Sequence, residues 1–377
     1  MTEIKGAYGS VKVFTTSNKD TAIDRYALAQ LQLLCDDPVS IGSTIRVMPD
    51  VHPGKVCTIG LTMTVTDRIL PNLIGIDIGC GVSIVKLNKV RMDHQKLDRI
   101  IRENIPAGSS IRNKPLPAAS EYDLSGLSCY RHIREDKARL SLGTLGGGNH
   151  FIEVDQDEDG TYYLTVHSGS RHLGKEVTEH YLRCGHEKLA SSGEEIPYPL
   201  TYISGDLMDD YIHDVVITQE YARTNRELIL REIMKDMKWK GGDIKSVCHN
   251  YLSESGGQLM LRKGAISAGN DEFVAIPVNM RDGIILGTGR GNPDWNYSAP
   301  HGAGRLLKRE DVKNSHTVSE YKNVMKGIYS SCIGKDTLDE APFAYRNIDE
   351  IAEAIKDTVR IDRIIRPVYS YKAGNEN

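Results

Sequence analysis

Residues 298–305 read Ser-Ala-Pro-His-Gly-Ala-Gly-Arg, a histidine set among residues too small to cover it. Gly302, Ala303 and Gly304 let the backbone approach a ligand closely, and Arg305 offers a planar fork of donors suited to phosphate. Pro300 fixes the approach to His301, so the imidazole is expected on a rigid loop, as a nucleophile or a ligand contact. A glycine-rich turn with an incidental histidine is the alternative.

Five further positions have the character of metal ligands. Gly-Ile-Asp-Ile-Gly-Cys-Gly at 75–81 sets Asp77 and Cys80 three residues apart in a strand-to-loop turn kept open by glycines. His150 ends Gly-Gly-Gly-Asn-His, His167 begins His-Ser-Gly-Ser-Arg after an apolar run, and His249 lies in Cys-His-Asn-Tyr. Each alone reads as a hydrogen-bonded structural residue, but together they exceed what one zinc ion needs, which suggests two ions sharing a thiolate. Mixed O, N and S donors select no single metal.

The elements that must position these groups alternate in type. Apolar runs at 57–65, 81–87 and 162–166 predict strands. Asp93 caps a helical pattern of Leu97, Ile100, Ile101 and Ile105, and Asn347 caps Ile348, Ile351, Ile355 and Val359. A longer helix is expected over about 209–237, with Tyr211, Val215, Ala222, Ile229 and Ile233 on one side and Gly241-Gly242 beyond its end. His213-Asp214 within it reads as a surface pair. Gly287-Thr-Gly-Arg-Gly291 reads as a loop able to approach phosphate, since its spacing is not a dinucleotide fingerprint.

Composition sets the outer limits. The 377 residues are ordinary for a globular protein, 40% hydrophobic and 26% charged, and length alone would allow two or three domains. A net charge of −4 excludes bulk electrostatic coating of nucleic acid but leaves room for a local basic cleft. Seven scattered cysteines, none in CxxC, indicate free thiols. No apolar run approaches a membrane span and the first residues lack the apolar core of a signal peptide, so the chain is expected to be cytoplasmic. There is no GxxxxGK[ST], no HExxH and no Lys-x-Asp-Gly, so familiar ATP machinery is missing.

Six ordered motifs then carry a resemblance: Met-Pro-Asp-Val-His-Pro-Gly-Lys (48–55), Ile-Asp-Ile-Gly-Cys-Gly (76–81), Gly-Thr-Leu-Gly-Gly-Gly-Asn-His (143–150), His-Ser-Gly-Ser-Arg (167–171), Arg-Lys-Gly-Ala-Ile-Ser (262–267) and His-Gly-Ala-Gly-Arg (301–305). In this order they resemble the RtcB family of 3′-phosphate RNA ligases, over almost the whole chain. The motifs of one site come from both ends, so the resemblance implies one α+β catalytic domain, 1–377, with mixed sheets and surrounding helices around a metal-containing cleft. It further implies that His301 attacks the α-phosphate of GTP to give a covalent histidine-GMP. The guanylate then passes to an RNA 3′-phosphate, and a 5′-hydroxyl end displaces GMP; a 2′,3′-cyclic phosphate is first opened by water. Asp77, Cys80, His150, His167 and His249 would hold two Mn²⁺ ions, with Cys80 shared. Asn149 would meet the GTP phosphates. Ser298, Gly302 and Ala303 would line the nucleotide site, and Glu153, Tyr345 and Lys372 the guanine pocket. Arg171 and Arg305 would hold RNA phosphates, with Lys263 near the reacting group. RNA repair or tRNA splicing is the implied role, with no membrane and with an accessory protein left open.

The chain departs from the family's pattern in three places. Ile276–Gly283 brings Arg281 and Asp282 into a loop expected near nucleotide, His172 replaces a glycine after Arg171, and Ala299-Pro300 precedes the nucleophile. These departures point to a divergent bacterial branch. A metal phosphohydrolase or 2′,3′-cyclic phosphodiesterase acting on RNA ends is the competing reading, since the same ions activate water.

Overall fold

A seven-stranded sheet carries most of the chemistry-bearing residues. The computed structural model describes residues 1–16 and 23–373. The sheet runs Lys240–Cys248, Gly81–Asn88, Tyr162–Ser168, Phe151–Gln156, Val359–Lys372, Gly283–Gly289 and Phe273–Asn279, each strand antiparallel to its neighbours. A six-stranded sheet, Thr2–Lys5, Ser10–Val13, Ile45–His52, Ile59–Thr64, Gln258–Lys263 and Asn250–Ser255, contains one parallel pair, between the second and third strands. The class is α+β, as expected, and the sheet of mixed direction is the six-stranded one.

The expected strands and helices form with shifted ends. Asp93 caps helix His94–Asn104 by accepting from the Lys96 N–H at 3.0 Å, and Asn347 caps Ile348–Ala354 through Glu350 N–H at 2.9 Å; this second helix stops short of Val359, which instead begins the strand Val359–Lys372. The long helix spans Asp206–Met237, 32 residues, and Lys238 in the left-handed region ends it. Gly241 and Gly242 lie instead in the next strand, at an irregularity in its pairing with Gly81–Asn88. The Gly287–Gly291 stretch is a second revision: its first three residues end a strand paired on both sides, so most of it is not a phosphate loop.

Helix Asp206–Met237 joins two apolar cores. Its N-terminal half contributes Tyr211, Val215 and Tyr221 to a core shared with Val11, Val47 and Leu61 of the six-stranded sheet. Its C-terminal half packs Ile229, Leu230 and Ile233 against Val85, Val154 and Val166 of the seven-stranded sheet. Asp214 is fully buried in this helix, contrary to the surface pair expected with His213, because its carboxylate accepts from Ser128 N–H, Cys129 N–H and Tyr181 Oη at 2.7–3.0 Å. Among the described residues no helix is long and apolar enough to cross a membrane.

Candidate active site

Strand register gathers the ligand candidates at one end of the seven-stranded sheet. Gly81 pairs with both Cys248 and Ser168, and His167 pairs with Phe151. Cys80, His249, His167 and His150 therefore sit at neighbouring strand ends. The 75–80 loop follows a short helix, Pro71–Ile74, and precedes its strand, the reverse of the strand-to-loop order expected. It is tied to the His249 turn by His249 N–H to Cys80 O at 2.9 Å and Gly79 N–H to Asn250 O at 2.7 Å.

Two buried polar side chains of the long helix hold these turns. Arg226 donates to Gly79 O at 2.7 Å, Ser168 O at 3.0 Å and Ser83 Oγ at 2.9 Å. Asn225 accepts from Gly143 and Thr144 N–H at 2.8 and 3.1 Å, and its amide donates to Thr144 O, Ser168 Oγ and Gly169 O. Both are fully buried, and burial is tolerable because their polar atoms are satisfied. Neither stood out in the sequence.

The resulting cluster fits a divalent transition ion. Cys80 Sγ lies 3.5 Å from His150 Nε2 and 3.3 Å from His167 Nε2. Metal–sulfur and metal–nitrogen bonds of about 2.3 and 2.0 Å around a tetrahedral ion give ligand separations of about 3.5 Å. His249 Nε2 is 3.4 Å from His167 Nε2, and Asp77 Oδ2 is 3.2 Å from His150 Nε2. Cys80, His150 and His167 are buried together in the geometry of a metal group. Burial keeps the imidazoles of His167 and His249 well below the usual histidine range, hence neutral and able to ligate. It also pushes the Cys80 thiol up, an effect that a cation would reverse. For Asp77, burial is outweighed by the hydrogen bond and charge of His150, and the carboxyl titrates at about 2. Gly169 must lack a side chain here, because a Cβ would stand 2.0 Å from Asp77 Oδ1.

His301 stands beside this cluster, its ring 4.9 Å from that of His249. Strand Ser298–Pro300 leads into it and pairs with Ala265–Ser267, whose first residue donates to His249 O, so one ladder fixes both histidines. Asp50, fully buried, orients the imidazole. Its Oδ2 accepts from His301 Nδ1 at 2.7 Å and from the N–H groups of His301 and Gly302 at 3.2 and 3.3 Å. With the proton on Nδ1, Nε2 carries the nucleophilic lone pair. Asp50 lies within the 48–55 motif but carried no role in the sequence reading.

A cavity of about 150 Å³ opens from His301. Asn149, Glu153, His167, His249, Gly302, Ala303, Arg305, Tyr345 and Lys372 all line it, so seven of the expected nucleotide and phosphate residues meet there with two ligand candidates. Lys372 and Glu153 are brought together because Lys372 pairs with Phe151 and Ser370 with Glu153. Burial raises the Glu153 carboxyl to about 7. Glu340, another residue the sequence left unmarked, joins both rims: its carboxylate accepts from Lys372 Nζ at 2.5 Å, Tyr345 Oη at 2.6 Å, Arg309 at 2.8 Å and Arg305 at 3.4 Å. Burial opposes that charge, yet Lys372, Arg309 and Arg305 together hold the carboxyl at about 2.

Three expected residues stand apart from this cavity. Ser298 is buried behind it, its hydroxyl bonded to Arg262 Nε and Asn296 O at 2.8 and 2.7 Å, because its strand alternation turns it away from the nucleotide side. Lys263 points to Asn72 O and Ile74 O at 3.2 and 3.4 Å, and burial lowers its ammonium to about 8. Arg171, in the left-handed region at φ 55°, lines a second cavity of about 380 Å³ with Asp77, His150, His172, Lys137 and Lys175. The cluster is thus reached from two sides. In the divergent 276–283 stretch, Pro277 to Met280 line the first cavity, whereas Arg281 and Asp282 pair with each other at 2.9 Å and do not.

Comparison with known proteins supplies the affiliation. The RtcB family, described as tRNA-splicing ligase RtcB, matches residues 30–128 and 127–373. The chain is 27% identical to the RNA-splicing ligase RtcB of Escherichia coli strain K12, over 87% of this chain and 90% of that protein. It is 29% identical to RNA-splicing ligase RtcB2 of E. coli strain ATCC 25922, covering 91% and 90%. It is 28% identical to the tRNA-splicing ligase RtcB of Aeropyrum pernix, covering 85% and 86%. Matched along nearly its whole length, with a buried thiol-imidazole cluster beside an oriented histidine, the chain belongs to the RtcB family.

Proposed function

We propose that this protein is an RNA ligase that joins RNA 3′-phosphate or 2′,3′-cyclic phosphate ends to 5′-hydroxyl ends, using GTP and two Mn²⁺ ions. The observation that carries the reading is His301, held by Asp50 through Nδ1 and set 4.9 Å from the His249 ring. In the proposed reaction Nε2 attacks the α-phosphorus of GTP, the bond to the β-phosphate oxygen breaks, and pyrophosphate leaves. Asp50 holds the Nδ1 proton and stabilises the charge that develops on the ring. An RNA 3′-phosphate oxygen then displaces His301 from the guanylate. Finally the 5′-hydroxyl oxygen attacks the activated 3′-phosphorus, losing its proton, and GMP departs.

Asp77, Cys80, His150, His167 and His249 would hold the ions, which when bound neutralise phosphate charge and polarise the reacting phosphorus. Glu153 would accept from the guanine edge, with Tyr345 and Lys372 beside it, and Asn149 would meet the phosphates. Arg171 and Arg305 would hold RNA, and Lys263 would assist near the reacting phosphate. The whole chain acts as one catalytic unit in the cytoplasm, in RNA repair or tRNA splicing.

The test is sealing of 5′-hydroxyl RNA to strands ending in 3′-phosphate or 3′-hydroxyl, with GTP and ATP compared. Sealing of the 3′-phosphate end with GTP alone is expected. Incubation with α-labelled GTP and Mn²⁺ should also leave an acid-labile label on the protein and none on His301→Ala. A phosphohydrolase would convert the ends without acquiring the label.

A further inference from the structure

A third cavity, of about 710 Å³, adjoins the His301 cavity and shares His52, Arg305 and Arg309 with it. Its wall adds Lys308, Arg346 and Leu306 to these, with Asp24, Glu310 and Asp311 among its acidic residues. The antiparallel bridge between Arg305 and Tyr345, with Leu306 N–H on Ala344 O and Arg346 N–H on Gly304 O, ties together the two segments that carry Arg305 and Arg346 into this wall.

Two of its cations keep hydrogen-bonding capacity that the described residues do not fill. Arg346 is 5% exposed, yet among the described residues its Nε meets no hydrogen-bond partner, and its bond to Ala303 O is 3.5 Å long. Asp50 and Glu350 balance its charge, but the unfilled Nε donor is costly to bury unless a further acceptor completes it. Lys308 pairs with no carboxylate among the described residues, and its ammonium lies 4.7 Å above the Tyr26 ring. Tyr26 is 68% exposed and Leu306 46%, so an aromatic face and an apolar side chain flank the cationic wall. A polyanion whose units alternate phosphate with flat rings matches that order of surfaces.

We infer that this cavity holds the nucleotide preceding the phosphorylated 3′ end of single-stranded RNA. Its internucleotide phosphate meets Arg346 and Lys308, and its base stacks on the Tyr26 face beside Leu306. The inference rests on the RNA-ligase reading and adds a subsite to it. The strand then continues away from Arg305 rather than across the cavity of Arg171, Lys137 and Lys175, which is left to the other RNA end.

The test compares uridine 3′-phosphate, a dinucleotide and a tetranucleotide, each ending in 3′-phosphate, in two measurements. The first is Kd by competition against a fluorescent 3′-phosphate oligonucleotide without GTP; the second is guanylylation of the protein, which requires no RNA. The dinucleotide is expected to bind the wild type about tenfold or more tightly than the mononucleotide. Tyr26→Ala should weaken dinucleotide binding about fivefold or more, and Lys308→Ala should reduce the salt dependence of log Kd by about one unit. Both variants should leave mononucleotide binding and guanylylation as in the wild type. Lys240→Ala, at the start of the far edge strand, controls for general charge and should change nothing. Dinucleotide and mononucleotide binding with equal affinity, or variants that bind the dinucleotide like the wild type, would overturn the inference. Absence of guanylylation in the wild type would instead strike the ligase reading, while the binding comparison would still decide the subsite.

Discussion

Replacing Asp50 by asparagine isolates one charge from one geometry. Three donors converge on Oδ2, the His301 ring at 2.7 Å and two backbone N–H groups at 3.2 and 3.3 Å, so the oxygen of the introduced amide must take that place. The imidazole then keeps its tautomer but loses the anion that stabilises it as positive charge develops during attack. A hydrogen bond involving an ionised partner is worth about 1.5–3 kcal/mol, and about 1.4 kcal/mol is a decade in rate, so Asp50→Asn should slow guanylylation about ten- to 150-fold. The introduced amide nitrogen also lands where Oδ1 now stands, buried and without a partner. Leaving a buried donor unsatisfied costs about 1–3 kcal/mol of stability. The assay is single-turnover transfer of label from α-labelled GTP, run with thermal melting and metal analysis on the same preparation. A variant that keeps its metal content and takes up label at the wild-type rate would refute the role given to Asp50.

Other expectations follow from the same site. Cys80→Ser should lose bound metal while Cys57→Ser, whose thiol lies buried in an apolar environment, should retain it; equal metal content by elemental analysis would remove Cys80 from the ligand set. Burial holds the Glu153 carboxyl near 7, and accepting guanine N–H groups requires its ionised form, so GTP binding at pH 7 should release about half a proton. Calorimetry in buffers of different ionisation enthalpy measures that release, and an equal release on ATP binding would count against Glu153 as the guanine acceptor. Lys263, lowered to about 8 by burial, should give a ligation rate that declines as pH rises through that value, with the decline moved upward in Lys263→Arg. Because its folded pKa of about 8 lies below the ordinary 10.5, stability should fall as pH drops from about 10.5 to about 8 and level off below, and Lys263→Met should lose that slope in thermal melts.

How much of this was legible in the sequence depended on the kind of residue. The five ligand candidates declared themselves through glycines beside histidine, cysteine and aspartate, and short-range turn chemistry is what a sequence displays best. Asp50 did not, because its role depends on an irregularity in strand Ile45–His52, between Val47 and His52, followed by contact with a residue 251 positions away. Glu340 was hidden for the same reason: its partners come from three separate segments. Asn225 and Arg226 could have been found. They fall between Ala222 and Ile229 on the stripe that predicted the helix, and a polar pair on an apolar stripe asks what it bonds to. Asp214, on the same stripe beside Val215, posed the same question. Gly287–Gly291 misled in the opposite direction, since glycine in a strand marks close backbone approach as readily as a loop; a Cβ on Gly287 would stand 2.5 Å from Arg360 O.

The fastening of three separate turns to Asn225 and Arg226 governs how the molecule can open. Releasing the Gly79, Gly143 or Ser168 turn alone strands part of a buried amide or guanidinium, at about 1–3 kcal/mol for each unsatisfied group. Piecemeal fluctuation at the cluster is therefore suppressed, and its backbone amides exchange with solvent only when the long helix leaves both sheets. Among the described residues, the opposite wall, built around Glu340 and Arg305, has no such fastening to that helix. On the proposed function, substrates come and go by rearranging side chains there, while the spacing of the candidate metal donors is inherited unchanged from one turnover to the next.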